Sequence, residues 1–159
     1  MTLGILGEDI GAMIMLTDRA LALNPNYASG WHQSGNLRLW AGYPEIAIEH
    51  LEIAQRLSPR MQLGHWRSLI GVAHFLSKRF DQAVSNLILA IQQDQCDPVP
   101  YRYLAASYAH MGRANDAQEI VARLRAISPR VIPDDPLLRN PEHRELFLSG
   151  LRLAAGEET

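Results

Sequence analysis

The clearest pattern of hydrophobic and polar positions along the chain lies between Pro44 and Leu57. Apolar residues recur there at spacings of three and four, which is the spacing of one face of an α-helix. They are Ala47, Leu51, Ala54 and Leu57. Charged residues occupy the opposite side, at Glu45, Glu49, Glu52 and Arg56. The segment is therefore predicted to be an amphipathic helix with one buried face.

Similar helical runs recur along the chain, and three of them end at a proline. Pro25 and Pro59 are 34 positions apart, and Pro129 lies 70 positions after Pro59, which is close to two further periods. A fixed period of this size indicates stacked units, each a pair of helices joined by a turn. The pattern divides the chain into units at 28–61, 62–97 and 98–131, with a two-residue insertion near 60–63.

Small residues occupy equivalent positions in the two helices of each unit. Small side chains at both positions allow two backbones to approach closely, so we expect each pair to mark a helix crossing. The pairs are Gly35 with Ala47, Gly71 with Ala83, and Ala105 with Ala117.

The ends of several helices are also readable. Gly42 and Gly112 stand where a helix must stop and reverse its direction. Asp97 and Asn140 each precede a proline, which predicts an N-cap residue followed by proline in the first helical turn.

The repeat is similar to the tetratricopeptide repeat (TPR), a helix–turn–helix unit of 34 residues. This resemblance implies an all-α fold, a right-handed α–α superhelix of helix pairs. In the same register, residues 1–27 contain the second helix of a truncated repeat, with an uncovered apolar face that includes Met13, Leu16 and Ala20. Residues 132–159 are predicted to be a capping helix and tail after a break at Pro133–Pro136. Solenoids need such a cap, here provided by Phe147, Leu151 and Ala154.

Composition narrows the range of functions. The 159 residues carry a formal net charge of -2 and include one cysteine, Cys96. Near-neutral charge argues against a nucleic-acid-binding protein, because such proteins neutralise many phosphates. A single cysteine excludes an intramolecular disulfide and favours a reducing, cytoplasmic compartment. The apolar run Ile10–Leu16 is far shorter than the ~20 residues that span a bilayer, so no membrane segment is predicted.

The sequence contains no evident catalytic or metal-binding motif. It lacks a Gly-rich phosphate loop, a nucleophile elbow and a zinc-protease helix. The six histidines are scattered, and none stands beside an acidic residue at the spacing of metal ligands. We therefore predict a chain that is not an enzyme and that holds no cofactor and no metal ion.

Repeats of this kind present a concave groove lined by their first helices, and the TPR register assigns residues to it. Aromatic, amide and arginine side chains at those positions are typical of a binding surface with apolar anchors and orienting polar groups. The expected partner is a protein or peptide segment, or another domain of the same polypeptide. Packing between repeats is the alternative role for Trp40 and Leu76. The candidate residues are His32, Gln33, Asn36, Trp40, His65, Ser68, Leu69, Val72, Phe75, Arg102, Tyr103, Ala106 and His110.

One known use of TPR grooves is a clamp for a C-terminal carboxylate, built from lysine, arginine and asparagine. This chain has only Asn36 in common with that clamp. The other matching positions hold His32, Leu69, Val99 and Tyr103. A carboxylate clamp is therefore not expected.

Several longer stretches carry a more specific resemblance. They are residues 19–26, Trp31 with Ser34 and Gly35, residues 47–51, 56–59, 105–113 and 150–152. Together they resemble the C-terminal TPR region of bacterial class III adenylate cyclases and of related winged-helix regulators. The resemblance implies a regulatory, protein-interaction segment of a larger signalling protein whose nucleotide chemistry resides in another domain. A free-standing adaptor or assembly factor and a small enzyme are the alternatives, and the truncated first repeat offers a surface for a homodimer.

Overall fold

The computed structural model describes residues 9–60, 63–134 and 137–157, and within these ranges the chain forms α-helices and no strand. The helices are α1 (Ile10–Leu23), α2 (Ala28–Ala41), α3 (Pro44–Leu57), α4 (Leu63–Leu76), α5 (Phe80–Gln93), α6 (Pro98–His110), α7 (Ala114–Ile127) and α8 (Pro141–Ala155). The predicted all-α superhelix is confirmed. The pairs α2–α3, α4–α5 and α6–α7 fall inside the predicted units 28–61, 62–97 and 98–131.

Parts of three predicted features lie outside the described residues. They are residues 1–8 of the truncated first repeat, Met61 and Gln62 of the predicted insertion, and Asp135 and Pro136 of the predicted break.

The turn inside each pair contains one residue in the left-handed region. Gly42 and Gly112 have φ angles of 98° and 74°, and the equivalent residue of the middle pair is Lys78, with φ 58°. The two glycines confirm the predicted helix ends. Lys78 adopts the same conformation against the preference of a residue that carries a Cβ atom.

The two predicted N-caps are confirmed. The Asp97 side chain accepts a hydrogen bond from the backbone N–H of Val99, and the Asn140 side chain accepts one from Glu142, both at 2.9 Å. These bonds satisfy N–H groups that have no partner inside the helix, and they fix where α6 and α8 begin.

The close approach predicted at Gly35 and Gly71 is confirmed, and leucine fills it. A Cβ atom at Gly35 would lie 2.7 Å from Cγ of Leu51 and 3.1 Å from the Ala47 carbonyl oxygen. A Cβ atom at Gly71 would lie 2.7 Å from Cγ of Leu87. Glycine is thus required in α2 and α4 because the leucine of the paired helix occupies the space of a side chain.

The superhelix curves because its first helices lie closer together than its second helices. In the described part of the chain the backbone of α4 approaches those of α2 and α6 closely, whereas the backbone of α5 does not approach those of α3 and α7 in the same way. The first helices therefore form the concave face, and the second helices form the convex face.

The last helix does not continue this stack. A further first helix would pack mainly against the preceding second helix, as α6 packs against α5. Instead α8 packs mainly against α6, touches α7 less, and reaches back to α4. It therefore lies across the concave face.

We predict that Ala47→Trp destabilises the fold by about 2 kcal/mol or more, because an indole has no room at the α2–α3 crossing. Ala47 is fully buried there. Urea unfolding measures the loss as a lower midpoint at unchanged slope. Ala122→Trp, at an exposed position of α7, is the control and should change the midpoint little. Equal midpoints for the two variants would contradict the crossing described above.

We also predict that Lys78→Gly stabilises the fold by about 0.5–1 kcal/mol. Glycine adopts positive φ without the steric penalty of a Cβ atom, and this gain exceeds its greater loss of backbone entropy. Lys78→Ala keeps the Cβ atom and serves as the control, with no such gain. The same thermal or urea unfolding experiment compares the three proteins.

Candidate functional site

The concave face is the candidate functional site, and its two ends differ. Towards the C-terminal repeats it is covered by the chain itself, by residues 128–134 and 137–140 and by α8. We call these residues the covering segment. Towards the N-terminal repeats, concave positions of α2 and of the beginning of α4 are exposed or half-buried. We call this second part the open section, and its residues are His32, Gln33, Asn36, Trp40 and His65.

Aromatic stacking holds the middle of α8 on the concave face. The ring of Phe147 stacks on that of Tyr103 with a centroid distance of 4.2 Å and an interplanar angle of 18°. Phe75 of α4 meets Phe147 edge-on at 6.4 Å. All three side chains are buried, so α8 joins two neighbouring repeats through one aromatic cluster.

A glycine lets the backbone of α8 lie directly on α6. A Cβ atom at Gly150 would be 2.7 Å from Nε2 of His110 and 2.9 Å from Cβ of Ala106, so any side chain there would clash. His110, with the proton on Nε2, donates a hydrogen bond of 2.7 Å to the backbone carbonyl of Leu146. The His110 ring also stacks on the ring of Phe80, with a centroid distance of 5.4 Å.

Polar contacts fix the irregular residues that lead into α8. The Arg102 guanidinium donates hydrogen bonds to the backbone carbonyls of Val131 and Arg130, at 3.0 and 2.9 Å. Further on, the backbone N–H of Arg139 donates to the Trp40 carbonyl at 3.0 Å. The covering segment thus extends from the beginning of α6 to the end of α2.

This covering segment corrects the expectation of an open groove along all three repeats. Tyr103 and Ala106 are buried against α8, and Phe75 is buried in the same cluster. Arg102 and His110 bind the covering segment. Three more candidates, Ser68, Leu69 and Val72, are also buried. These eight side chains are in the core or engaged within the chain. At Arg102, Tyr103, Ala106 and His110 the covering segment takes the place that a partner was expected to occupy.

Two side chains of the open section meet above the indole of Trp66. His32 stacks on Trp66 at 5.5 Å, and its ring centroid lies 5.3 Å from that of His65. Burial and, to a lesser extent, the neighbouring His65 lower the pKa of His32 from the usual 6.5 to about 4. His32 is therefore neutral at physiological pH, while Gln33 and His65 are exposed.

Packing between repeats was the alternative role predicted for Trp40 and Leu76. Leu76 is buried in the core. Trp40 is half-buried, packs against the core, and lines a cavity of about 140 Å³ together with Arg102, Tyr103 and Phe147. Trp40 therefore lies at the boundary between the open section and the covering segment.

Sequence reasoning did not indicate the side of the superhelix on which α8 packs. Phe147, Leu151 and Ala154 were predicted to cover the last repeat and are buried, but the repeat pattern did not indicate that α8 lies on the concave side. A glycine between Phe147 and Leu151 was the available signal, because glycine inside a helix is unfavourable unless close packing needs it.

The uncovered apolar face of α1 is a second surface feature. Leu16 and Leu23 are exposed by 69% and 82%, and Met15 by 73%. Ala20 is exposed and Met13 is half-buried. The helix is tied to α2 by an ion pair in which Arg38 meets the Asp18 carboxylate at 2.8 Å.

Other chemistry is sparse in the described ranges. No cluster of three or more histidine, cysteine or carboxylate side chains there could hold a metal ion. Cys96 is an exposed free thiol in the turn between α5 and α6. No helix among the described residues is long and apolar enough to cross a bilayer.

Comparison with known proteins supports the fold. No protein-family model and no curated protein matches the chain. Among solved structures, MamA aligns with a TM-score of 0.69 at 21% identity over 93% of this chain and 88% of its own. YrrB, described as a TPR protein with an unusual peptide-binding site, aligns at 0.63 and 19% identity over 92% and 77%. TTC0263, a TPR protein of Thermus thermophilus, aligns at 0.63 and 22% over 89% and 73%. The chain thus has the TPR fold.

We predict that stability falls as the pH decreases from about 7.5 to 5.5. Burial lowers the pKa of His32, and it also lowers the pKa values of His50, His74 and His143. Around their ordinary pKa of 6.5 the unfolded chain binds more protons, so the stability present above that pH is lost on acidification. The urea midpoint at the two pH values measures this effect.

The His32→Gln variant tests the largest of these contributions. Glutamine does not titrate, so the midpoint of this variant should fall less between about pH 7.5 and 5.5 than that of the wild type. An identical fall in both proteins would contradict the assignment to His32.

Proposed function

We propose that this chain is a non-catalytic protein-interaction module that binds a polypeptide segment on its concave face. The observation that carries the proposal is the covering segment, since the same face already binds about two dozen residues of its own chain. It does so through aromatic stacking, a helix backbone contact and side-chain hydrogen bonds to main-chain carbonyls. The hydrogen bonds to main-chain carbonyls do not depend on the identity of the bound sequence, whereas the stack and the backbone contact need an aromatic residue and a glycine. A foreign segment with these two residues can use the same kinds of contact.

The open section is the proposed contact for a partner while α8 is in place. Gln33 and His65 are exposed, and the ring of His65 lies 5.3 Å from the half-buried ring of His32. Exposed amide and imidazole groups next to a ring suit an extended peptide, whose main chain needs donors and acceptors along its length. The expected ligand is uncharged at its point of contact, because no lysine, arginine or carboxylate belongs to the open section.

Two settings for such a module follow from the sequence. In the first proposed setting, suggested by the resemblance to the TPR region of class III adenylate cyclases, the module belongs to a bacterial signalling polypeptide with a separate catalytic domain. A free-standing adaptor or assembly factor uses the same concave face and fits the fold equally well. In the first setting the partner is another domain of the same polypeptide.

Self-association through α1 stays a prediction. Its exposed apolar side chains, such as Leu16 and Leu23, favour contact with a second apolar surface. Sedimentation of the wild-type chain and of a Leu16→Glu variant would test whether a dimer forms there.

The proposed function can be tested with a displayed library of random peptides selected on the whole chain. Selected peptides should bind the wild type, and the Gln33→Ala/His65→Ala double variant should bind them about tenfold more weakly. That factor corresponds to two side-chain hydrogen bonds of ordinary strength, about 1.4 kcal/mol in total. Isothermal titration calorimetry with the selected peptides gives the dissociation constants.

The matched control for this experiment is Gln118→Ala, since Gln118 is also an exposed helical glutamine but lies on α7 of the convex face. Its affinity for the selected peptides should equal that of the wild type. A library that yields no binder, or binders that respond to Gln118→Ala and not to the concave variants, would overturn the proposal.

A further inference from the structure

We propose that α8 is an exchangeable occupant of the concave face, and that the ligand of the covered part is an amphipathic helix of the same chemistry, which binds there when α8 leaves. This inference rests on the proposed function in that both use the concave face. It adds a second site, the class of its ligand, and a competition that regulates access to it.

The buried side of α8 defines what the covered part accepts. Phe147 stacks on Tyr103, Gly150 lies against Ala106 and His110, and the next turns bury Leu151 and Ala154. In helical spacing the ligand therefore presents an aromatic residue, glycine three residues later, leucine after that glycine, and alanine one turn further on. The opposite side of α8 is polar or exposed, with Leu153 exposed by 52%. The ligand is thus an amphipathic helix and not an extended peptide.

Packing on either side of α8 is incomplete. A cavity of about 430 Å³ separates the first turns of α8 from the end of α4, lined by Leu76, Lys78, His143 and Leu146 among others. On the other side lies the cavity of about 140 Å³ between the covering segment and Trp40. Nδ1 of His143 is buried without a hydrogen-bond partner in the described structure. These two openings flank α8, and between them its buried side chains lie along one line of contact, from Phe147 to Ala154.

The contacts that hold α8 are made mainly with one helix, α6. The docking of α8 uses the stacked ring of Phe147, the contact of Gly150, the buried side chains of Leu151 and Ala154, and a few hydrogen bonds. The crossings of α2–α3, α4–α5 and α6–α7 are made between the two helices of each pair. Release of α8 therefore exposes the face and leaves the repeats folded.

A synthetic, fluorescein-labelled peptide of residues 137–157 is the probe for the covered part. It should bind the wild-type chain weakly, because the attached α8 competes with it. In a full-length Gly150→Leu variant the leucine clashes with α6 and releases the attached helix, whereas the peptide keeps its glycine. We expect the peptide to bind this variant at least tenfold more tightly, as measured by fluorescence anisotropy, because a site that is open in a small fraction of molecules loses apparent affinity by that fraction.

Two further variants separate release from unfolding. Leu153→Ala changes the exposed side of the same helix and should bind the peptide as weakly as the wild type. Adding Tyr103→Ala to Gly150→Leu removes the stacking partner of the peptide's phenylalanine and should reduce binding at least tenfold. Circular dichroism checks that both proteins stay helical, and hydrogen exchange should show faster exchange in residues 141–155 of Gly150→Leu alone among the single variants.

The outcomes are distinguishable. Equal affinity of the peptide for wild type and Gly150→Leu, or no binding to a Gly150→Leu chain whose α8 exchanges fast, overturns the inference. A wild-type dimer that dissociates when the peptide is added overturns it as well, because the occupant is then α8 of a second copy. Binding of the peptide with no binder from the random library supports this inference and removes the function proposed for the open section. If the library yields binders but the peptide does not bind, the function proposed for the open section is supported and the inference about α8 is removed.

Discussion

The concave face is governed by the need to cover the apolar surface that α4 and α6 present there, whether by α8 or by a ligand of the same chemistry. Phe75 and Tyr103 present two large rings there, and the small side chain of Ala106 leaves a shallow depression between these rings and His110. Left open to water, surfaces of this size cost several kcal/mol at about 25 cal/mol per Å². The chain removes the cost by placing Phe147 and Gly150 of α8 on the same surface. The capping helix that every solenoid needs is thereby turned from the end of the stack onto its inner face.

Most of the repeat architecture could be predicted because its signals are local and periodic. Glycine or alanine recurs at each helix crossing and proline at three repeat ends, Pro25, Pro59 and Pro129, and the helix pairs follow from these signals. Lys78 shows the limit of this reasoning. Its positive φ is imposed by the turn that Gly42 and Gly112 also form, and nothing in the chemistry of lysine indicates it. Alignment of the three turns identifies the position, whereas residue preference does not.

The candidate site was only partly predictable, for a different physical reason. The repeat register states which side of a helix faces inward. Of the residues that it assigned to the concave face, Gln33 and His65 are exposed and His32 is half-buried. The register carries no information on which residues pack against that side. The contact of Tyr103 with Phe147, and that of Trp40 with Arg139, join residues far apart in sequence through an irregular segment without periodicity. Only the glycine inside α8 pointed to them.

Competition by an attached helix also sets which partners can use the covered part. If α8 docks with about 2.7 kcal/mol, the face is open in about 1% of molecules, and a free helix binds about a hundredfold more weakly than to an empty site. Such a partner needs contacts beyond those of α8, for example with the open section beside Trp40. Alternatively it can be tethered in the same polypeptide, where the effective concentration reaches the millimolar range. Both routes favour a ligand that spans the two parts of the concave face, entering at His65 and Gln33 and ending where Phe147 now lies.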